Sequence, residues 1–525
     1  MDLRTIRYSE LPGTSRLFLD YLYEPAKTSG FYAHSPWDAA SYTAAAAAVD
    51  FPDERRRSLV DALRAQNGDH PLLDQLARPG TFVVATGQQV GLFGGPAYTI
   101  YKALTAARLA RRLTDLGLPA VPVFWLATED HDFAEVNHCW VFDGDRRPVR
   151  IEAGGEVPSQ SPVGPLPVRE GAAGELRQAL GALPFGGQIA AVVEEAYSAG
   201  STFGVAFQHL LKKLLAPFPL LLLDPLQPPI RQLAAPLLSA ALERSSELVP
   251  LVVRQNQALE AAGYHAQVHV DAESSMLFLL DGGLRIPLRA DGSGYRCGDR
   301  QVTTPELLRR AADLSPNALL RPVVQDYILP TLATVMGPAE VAYMAQAQVL
   351  YQELGLRTPV VVPRAGFTVL DSRSARLMDR YDLSLPDVWR GEDALRERIA
   401  HRLIPYEVER SINQTKSETG EGIARLRADL MSFDPTLAEA TERSRRKILH
   451  QLGKIEGKVA REALRRSERA GAEAALLSRL ICPQRHLQER FYSILPFLAQ
   501  HGLGLIDRLY QDVDLDGRDH RVLAA

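Results

Sequence analysis

The fold is decided by a stretch that reads FVVATGQQVGLFGGP and runs over residues 82–96. Its first four residues, 82–85, are apolar and predict a strand, and a glycine-rich turn and a helix over about 98–116 follow. A second apolar strand, 121–127, leads into TEDHDFAEVNH at residues 128–138. Because parallel strands joined by a helix end at the same edge of a sheet, the turn and the polar stretch are predicted to meet.

Length and composition bound the class of protein. A chain of 525 residues exceeds the usual limit for one core, so we expect at least two domains or one core with large insertions. A hydrophobic content of 46% and a charged content of 23% are typical of an ordinary globular protein. The net charge of -4 gives no electrostatic reason to expect nucleic acid or an anionic membrane as a partner.

The cysteines and the apolar runs predict a cytoplasmic location. Cys139, Cys297 and Cys482 form no CxxC pair, which argues against a disulfide framework or a zinc knuckle and fits a reducing compartment. Residues 1–20 lack the apolar centre of a signal peptide. The longest apolar run, 210–223, contains two lysines and two prolines and is too short to span a bilayer.

Alternation of strands and helices predicts an α/β fold with a doubly wound parallel sheet. Residues 220–223 are a predicted strand that closes on Asp224, and 331–335 and 359–362 are two more. A second glycine turn, 336–339, precedes a predicted helix over 340–354. The sheet is therefore expected to contain two strand–turn–helix units.

The segments around this sheet carry further predictions. Residues 1–80 are predicted to be helical, with Ser35-Pro36-Trp37 opening one helix. Helices are expected over 170–215 and 228–262, and helix starts at Thr304 and Ser315. Short strands are expected at 149–151, 267–270, 276–280 and 284–288, with a hairpin turn at 281–283.

The last third of the chain predicts an antiparallel helical coiled coil. Apolar residues recur at three-four spacing on both sides of a turn at 431–436, and the face they form favours self-association over packing within one chain. The predicted domains are a core over 1–375 with connecting insertions at about 139–215 and 228–313, the coiled coil over 376–480, and helices over 481–525 that return to the core.

The glycine turn has two interpretations. A strand, a glycine-rich loop and a helix can present unpaired N–H groups to a phosphate or carboxylate, with Lys102 adding a cation. The spacing matches neither GxGxxG nor the P-loop, so tight packing is the alternative. The amide side chains of the turn suit a hydroxyl-rich ligand such as a sugar. Alternatively, they form hydrogen bonds within the loop itself. The candidate binding residues here are Thr86, Gly87, Gln88, Gln89, Gly91, Gly94, Gly95, Tyr98 and Lys102.

The second strand ends in a cluster of titratable groups. The candidate catalytic residues are Glu129, Asp130, His131, Asp132 and His138, with Glu135 between them. If the segment from His131 is helical, His131, Glu135 and His138 share one face, and a carboxylate beside an imidazole can raise its basicity. The same groups could bind a metal, although the spacing is not HExxH, or could only cap a helix.

A third group of polar residues comes later in the chain. The candidate binding residues are Asn317, Arg321, Glu340, Tyr343, Gln346 and Arg364, with Gln325 on the helical face of Arg321. Arg321 could hold a carboxylate with two hydrogen bonds or could pair internally with Glu340. Arg364 has the same two interpretations.

The motifs together resemble a known family. They occur in the order TGQQ at 86–89, GLF at 91–93, GP at 95–96, VFW at 123–125, EDHD at 129–132, LSPN at 314–317, RP at 321–322, Gly337 with Glu340 and Tyr343, and QER at 488–490. This ordered set resembles the bacillithiol biosynthesis cysteine-adding enzyme family, BshC. Two positions depart from its pattern, Gly94 where threonine is common and Met344 where an aromatic residue is common, and contacts there are expected to differ.

The resemblance implies a Rossmann-like core with two connecting insertions, and a homodimer formed through the coiled coil. It also implies the last step of bacillithiol synthesis, in which L-cysteine is joined through its carboxyl group to the amine of glucosaminyl-malate. Because amide formation from a free carboxylate is uphill in water, we expect activation by ATP or another nucleotide, although no nucleotide motif is present. We predict no metal.

These expectations give a working hypothesis and two alternatives. The turn over 87–95 would hold an anionic group, either of a nucleotide or of the malate, and His131 or Asp132 would help to deprotonate the amine. The first alternative is a metal-dependent hydrolase built on Asp130, His131 and His138. The second is a non-catalytic scaffold that senses a nucleotide or a sugar.

Overall fold

The computed structural model describes residues 4–155, 157–271, 273–292 and 294–525. The chain forms two compact units. The first contains the described residues up to Val369 together with Glu489–Ala525, and the second is Leu370–Gln488. In the described part of the chain, every helix is too short or too polar to cross a lipid bilayer.

A five-stranded parallel sheet lies at the centre of the first unit. Its strands are β2 (Phe82–Gln88), β3 (Ala120–Leu126), β6 (Leu221–Leu223), β12 (Thr331–Met336) and β13 (Val360–Pro363). They lie in the order β13-β12-β2-β3-β6, and every neighbouring pair is parallel. The chain starts in the middle, builds outward on one side and then returns to build the other side. The predicted doubly wound parallel sheet is confirmed.

The helices of the first unit cover this sheet and its insertions. Those before residue 135 are α1 (Arg16–Tyr23), α2 (Pro25–Thr28), α3 (Ala39–Ala47), α4 (Asp53–Asn67), α5 (Pro71–Leu76), α6 (Tyr98–Asp115) and α7 (Phe133–Val136). Those that follow are α8 (Ala172–Leu180), α9 (Gly186–Ala196), α10 (Phe203–Leu214), α11 (Pro228–Glu243), α12 (Ser245–Ala261), α13 (Thr304–Arg309), α14 (Arg321–Ile328) and α15 (Pro338–Glu353). Helix α6 packs its apolar face, including Leu109 and Leu113, against Val84 and Val335 of the sheet.

Two insertions extend from the sheet. The first carries the antiparallel pair β4 (His138–Phe142) and β5 (Pro148–Glu152) with helices α8 to α10. The second carries an antiparallel sheet of β7 (Ser274–Asp281), β8 (Leu284–Asp291), β9 (Gly294–Cys297), β10 (Arg300–Val302) and β11 (Leu314–Pro316) in the order β10-β9-β8-β7-β11. The predicted turn at 281–283 joins β7 to β8.

The chain termini of the first unit come together. Strand β1 (Arg4–Ile6) pairs antiparallel with β15 (His520–Ala524), which neighbours β14 (Phe367–Leu370). The helices of the C-terminal segment are α22 (Gln488–Phe491), α23 (Leu495–His501) and α24 (Gly504–Gln511). Leu495 and Leu498 are fully buried, so this segment belongs to the core of the first unit.

The second unit is helical. It contains α16 (Ser372–Tyr381), α17 (Leu385–Trp389), α18 (Glu392–Arg402), α19 (Tyr406–Phe433), α20 (Pro435–Arg465) and α21 (Glu468–Ile481). The long helices α19 and α20 form the predicted hairpin, because only Asp434 separates them and Lys416 pairs with Glu456 between them. Not one residue of α19 is buried.

Three local predictions are wrong. Ser35 does not open a helix: α3 begins at Ala39, and the Asp38 carboxylate caps it by accepting from the backbone N–H of Ala40. Ser315 lies in strand β11, which pairs with β7. Residues 267–270 form no strand; Gln346 instead binds the backbone of Val268 through its side chain. The start of α3 was decided by a local cap, whereas tertiary contacts with β7 and Gln346 decided the other two cases.

Candidate functional site

A cleft of about 400 Å³ lies at the carboxyl ends of β2, β3 and β12. Strands β2 and β12 are neighbours, and the chain leaves them towards opposite sides of the sheet, so the cleft lies at the topological switch point of the fold. The predicted site residues that line it are Gly87, Gln88, Gln89, Tyr98, Lys102, Glu129, Asp130, Asn317, Arg321, Glu340, Tyr343 and Arg364. All three predicted polar groups therefore contribute to one cavity.

Other predicted residues lie outside the lining of this cleft. They are Thr86, Gly91, Gly94, Gly95, His131, Asp132, His138 and Gln346. The Thr86 hydroxyl is buried and donates to the carbonyl of Val335 at 2.9 Å. The buried Gln346 amide donates to Asn256 and to the carbonyl of Val268 at 2.7 and 2.8 Å. Both side chains hold elements of the fold together.

Four N–H groups of the glycine turn already have backbone partners. The N–H groups of Gly91, Gly94 and Gly95 donate to carbonyls within the turn at 2.9–3.1 Å, and that of Ala97 donates to Tyr492. The turn is shaped for packing, since Phe93 is buried in its middle at a positive φ of 52°. These contacts favour the packing interpretation for Gly91, Gly94 and Gly95, and anion binding by the turn stays a prediction.

Gly87 lies in strand β2, not in the turn. A Cβ atom built at Gly87 would lie 2.8 Å from the carbonyl oxygen of Trp125 and 2.9 Å from its Cβ. Only glycine allows the two strands to approach so closely at the rim of the cleft.

A buried lysine lines the part of the cleft that contains the cationic side chains. Lys102 is 2% exposed, and its ammonium donates to the Gly87 carbonyl at 2.9 Å, to Gln88 Oε1 at 2.8 Å and to the Glu340 carboxylate. Burial lowers the pKa of Lys102, while Glu340 opposes that effect. Glu340 also accepts from the N–H of Gly337 at 2.7 Å. Although burial opposes its ionisation, Lys102 and Gly337 keep the pKa of Glu340 below its ordinary value.

The two predicted arginines of the cleft already have partners. Arg321 donates to the Tyr343 hydroxyl at 2.7 Å and to Gln325 Oε1 at 3.4 Å. Arg364 forms a two-pronged ion pair with Glu489, at 3.0 and 2.5 Å, and both side chains are at most 3% exposed. Arg364 therefore pairs with a carboxylate inside the protein, whereas Arg321 is held by the Tyr343 hydroxyl and the Gln325 amide.

Carboxylates bridged by an amide form the acidic part of the cleft. Gln89 Nε2 donates to Asp130 Oδ2 at 2.7 Å and to Glu135 Oε2 at 2.9 Å. The other oxygen of Asp130 accepts from the backbone N–H of His131 at 2.7 Å. An exposed carboxylate such as Glu135 keeps free lone pairs, so this part of the cleft can bind an ammonium group.

Arg285 ties the second insertion to the acidic stretch. It lines the cleft and donates to Ser315 at 2.9 Å, to the Pro316 carbonyl at 2.6 Å and to His131 Nδ1 at 2.9 Å. Ser315 in turn donates to the buried Glu129 at 2.8 Å. Because a guanidinium carries only donors, His131 Nδ1 accepts, and the neutral ring holds its proton on Nε2. Burial and then Arg285 lower the pKa of His131.

The predicted helical face of His131, Glu135 and His138 is wrong. Helix α7 has only four residues and ends at Val136, and His138 begins strand β4. The exposed Asp132 caps α7 by accepting from the N–H of Glu135 at 3.2 Å. Across the described residues there is no group of three or more His, Cys, Asp or Glu side chains placed to hold a metal ion. Asp130, His131 and His138 therefore form no such set.

Eleven lining residues were not among the predicted site residues. They are Trp125, Ala127, Glu135, Phe278, Arg285, Pro316, Ala318, Gly337, Pro338, Ala339 and Arg490. Glu135 and Gly337 lie within sequence motifs and could have been included. Arg490 also lies within a motif, QER at 488–490, and could have been included. Phe278 and Arg285 come from the second insertion, and no local pattern marks them.

Comparisons with known proteins cover the whole chain. The family model described as bacillithiol biosynthesis BshC, N-terminal Rossmann-like domain, matches residues 1–365, and the model for the C-terminal coiled-coil domain of BshC matches residues 367–525. A relative from Solibacter usitatus named "Putative cysteine ligase BshC" is 52% identical over 100% of both chains. Relatives of the same name are 36% identical in Koribacter versatilis, over 99% of both chains, and 32% identical in Symbiobacterium thermophilum, over 88% of this chain and 87% of that one.

Proposed function

The chain belongs to the bacillithiol biosynthesis BshC family, a family of ligases, and on that premise we propose that it joins L-cysteine to the amine of glucosaminyl-malate. The observation that carries the proposal is the composition of the cleft. One cavity contains cationic side chains suited to carboxylates, and carboxylates suited to an ammonium group. A sugar amine linked to malate has both kinds of group.

The amine is assigned to the acidic part of the cleft. Asp130 and Glu135 would bind the ammonium group, and one of them would accept a proton from it. The resulting neutral amine would attack the activated cysteine carboxyl carbon and displace the phosphate or nucleotide that activates it. His131 is less suited to that role while Arg285 occupies its Nδ1 lone pair. Asp132 is a helix cap outside the lining.

Two single variants test this assignment. In an assay of purified protein with glucosaminyl-malate and cysteine, Asp130→Asn should lose most of its kcat, whereas Asp132→Asn, which keeps a capping oxygen, should retain it. The reverse result would assign the proton transfer to Asp132. A fully active His131→Ala variant would exclude His131 as the base.

Activation of the cysteine carboxyl group requires an energy source, and we propose a nucleotide such as ATP. The N–H groups of Gly91, Gly94 and Gly95 are already paired within the glycine turn, which argues against a phosphate cradle formed by these glycines. No residue of the turn is therefore assigned to the nucleotide. The test is cysteine-dependent release of pyrophosphate or phosphate from ATP by the pure protein, and release of neither would exclude this proposal.

The reaction itself is tested in cells. Deleting the gene should abolish bacillithiol and cause glucosaminyl-malate to accumulate, and plasmid-borne wild type should restore the thiol. Normal bacillithiol in the deletion strain would contradict the proposed function and favour a sensing scaffold.

The three cysteines are buried as free thiols, which supports a reducing compartment such as the cytoplasm for this enzyme.

The coiled coil is proposed to form a homodimer. Helices α19 and α20 expose Leu426 (51%), Met431 (51%), Ile448 (43%) and Ile455 (52%), although such side chains usually find apolar partners. A second copy of the hairpin would cover them. Sedimentation should show a dimer for wild type and for the exposed polar control Arg425→Ala, but a monomer for Leu426→Glu combined with Ile448→Glu. A monomeric wild type would contradict the proposal.

A further inference from the structure

The cations of the cleft differ in whether their hydrogen-bond donors are already used. Lys102 is engaged by Gly87, Gln88 and Glu340, and Arg285 by Ser315, Pro316 and His131. These bonds fix the two side chains and use the donors that a substrate would need. Neither can turn towards a carboxylate without leaving a buried polar group unpaired.

Of these three cations, Arg364 is the one that pairs with a carboxylate through two hydrogen bonds. Both prongs of its guanidinium meet the Glu489 carboxylate, which also accepts from the backbone N–H of Phe367 at 2.9 Å. Although burial opposes its charge, Glu489 raises the pKa of Arg364. A bidentate pair buried to this extent leaves no fork for a second carboxylate.

Arg490 is different. It is exposed, lines the cleft and lies with its guanidinium 5.7 Å from the centre of the Tyr98 ring. Within the part of the chain that the structure describes, no carboxylate or carbonyl accepts from it. Its five N–H donors are therefore available inside the cleft, whereas Lys102, Arg285 and Arg364 are engaged. Arg321 is bound to Tyr343 and Gln325, which hold its guanidinium in place.

The backbone of Arg490 is nonetheless held in place. On one side Glu489 is buried against Arg364 and Phe367, and on the other the carbonyl of Tyr492 accepts from the N–H of Ala97 at 2.8 Å. A fixed backbone with a free guanidinium is the arrangement expected of a ligand-binding arginine, because little backbone entropy is lost on binding.

We propose that Arg490 is the residue that binds an acidic group of the substrate, and that the C-terminal segment thereby completes the cleft. The inference rests on the proposed function for the identity of the substrate. The chemistry it requires is a carboxylate, as in the malate moiety, or a phosphate of the activating nucleotide, since a guanidinium fork matches both. Arg364 and Glu489 act together as the support that holds this segment in position.

The test compares the kinetics of Arg490→Gln, Arg490→Lys and wild type. Arg111→Gln serves as a matched control, because Arg111 is also exposed but lies outside the lining of this cleft. Arg490→Gln should raise the KM for one acidic substrate by roughly tenfold to hundredfold with little change in kcat, as expected for loss of a charge-assisted hydrogen bond. Lysine should restore part of the affinity, since it keeps the charge but loses the fork.

The KM that rises identifies the acidic group. A rise for glucosaminyl-malate assigns the malate carboxylates, and a rise for ATP assigns a phosphate. Unchanged KM values for both substrates in an active Arg490→Gln enzyme would overturn the inference while leaving the proposed function intact. If wild type ligates nothing, calorimetric binding of glucosaminyl-malate and of ATP to wild type and Arg490→Gln still decides the matter: equal affinities for both ligands overturn the inference.

Discussion

The guanidinium of Arg285 donates to Nδ1 of His131 at 2.9 Å, although the two residues are 154 positions apart in the chain. This hydrogen bond connects an inserted antiparallel sheet to the carboxyl end of a strand of the central sheet. It also determines what the imidazole can do, because a lone pair that accepts from a permanent cation is not available to a substrate proton.

Removing that cation should change the titration of His131. Burial and Arg285 both lower its pKa, so Arg285→Gln should raise the pKa of His131 towards the ordinary value of 6.5. Titration of 13C-labelled histidine by NMR, with His131→Asn for assignment, measures the change. Arg289→Gln, on the same strand but exposed, should leave it unaltered. An unchanged pKa in Arg285→Gln would mean that the hydrogen bond is absent in solution.

Stability should fall in mild acid because of His520. Burial, more than the neighbouring charges, lowers the pKa of this histidine from 6.5 to about 4. Between these two values the unfolded chain binds a proton that the folded chain excludes. The contribution of the neutral His520 to the free energy of unfolding is therefore fully present above about pH 6.5. It declines as the pH falls towards about 4, by up to about 3 kcal/mol.

Urea unfolding at pH 7.5 and pH 5 measures this loss. His520→Gln should show a smaller difference between the two pH values than wild type, because glutamine does not titrate. His209→Gln, at an exposed position, should behave as wild type does. Equal acid sensitivity of His520→Gln and wild type would assign the effect to other groups.

The pair formed by Lys102 and Glu340 should show strong coupling in a double-mutant cycle. Lys102→Met leaves a carboxylate without its main partner inside the cleft, which should cost about 3 kcal/mol in the free energy of unfolding. Lys102→Met combined with Glu340→Gln should cost less than the sum of the two single changes. The same cycle on the exposed pair Arg177 and Glu194 should give a much smaller coupling. Simple additivity at Lys102 and Glu340 would contradict the prediction.

Gly87 should not tolerate a side chain. The Cβ of Gly87→Ala would press against the backbone of Trp125 in the paired strand, and we expect a loss of about 1–3 kcal/mol in stability. Gly174→Ala is the matched control, since nothing lies within 4 Å of its added Cβ in helix α8. Thermal unfolding compares the two. Equal melting temperatures for Gly87→Ala and wild type would show that the strands can separate to admit a methyl group.

The sequence by itself determined the main elements and their type. Mainly apolar runs of four to seven residues were sufficient to identify the five parallel strands, and helical spacing identified the hairpin of α19 and α20. It also determined most of the polar residues at the strand ends, because parallel strands place those ends at one edge. A local pattern is sufficient to identify a strand or helix because the repeat of buried and exposed residues is set within that element.

Only the tertiary structure decided which of these residues act together. Arg364 and Glu489 lie 125 positions apart, and their ion pair removes one predicted anion-binding residue. The neighbouring Arg490 lines the same cleft and has no carboxylate partner among the described residues. In the same way the N–H of Ala97, just after the glycine turn, donates to the carbonyl of Tyr492 in the C-terminal segment, a contact that no local pattern predicts. The physical reason is that partners distant in sequence decide which hydrogen-bond donors and acceptors stay available to a ligand. Sequence periodicity carries no information about those partners.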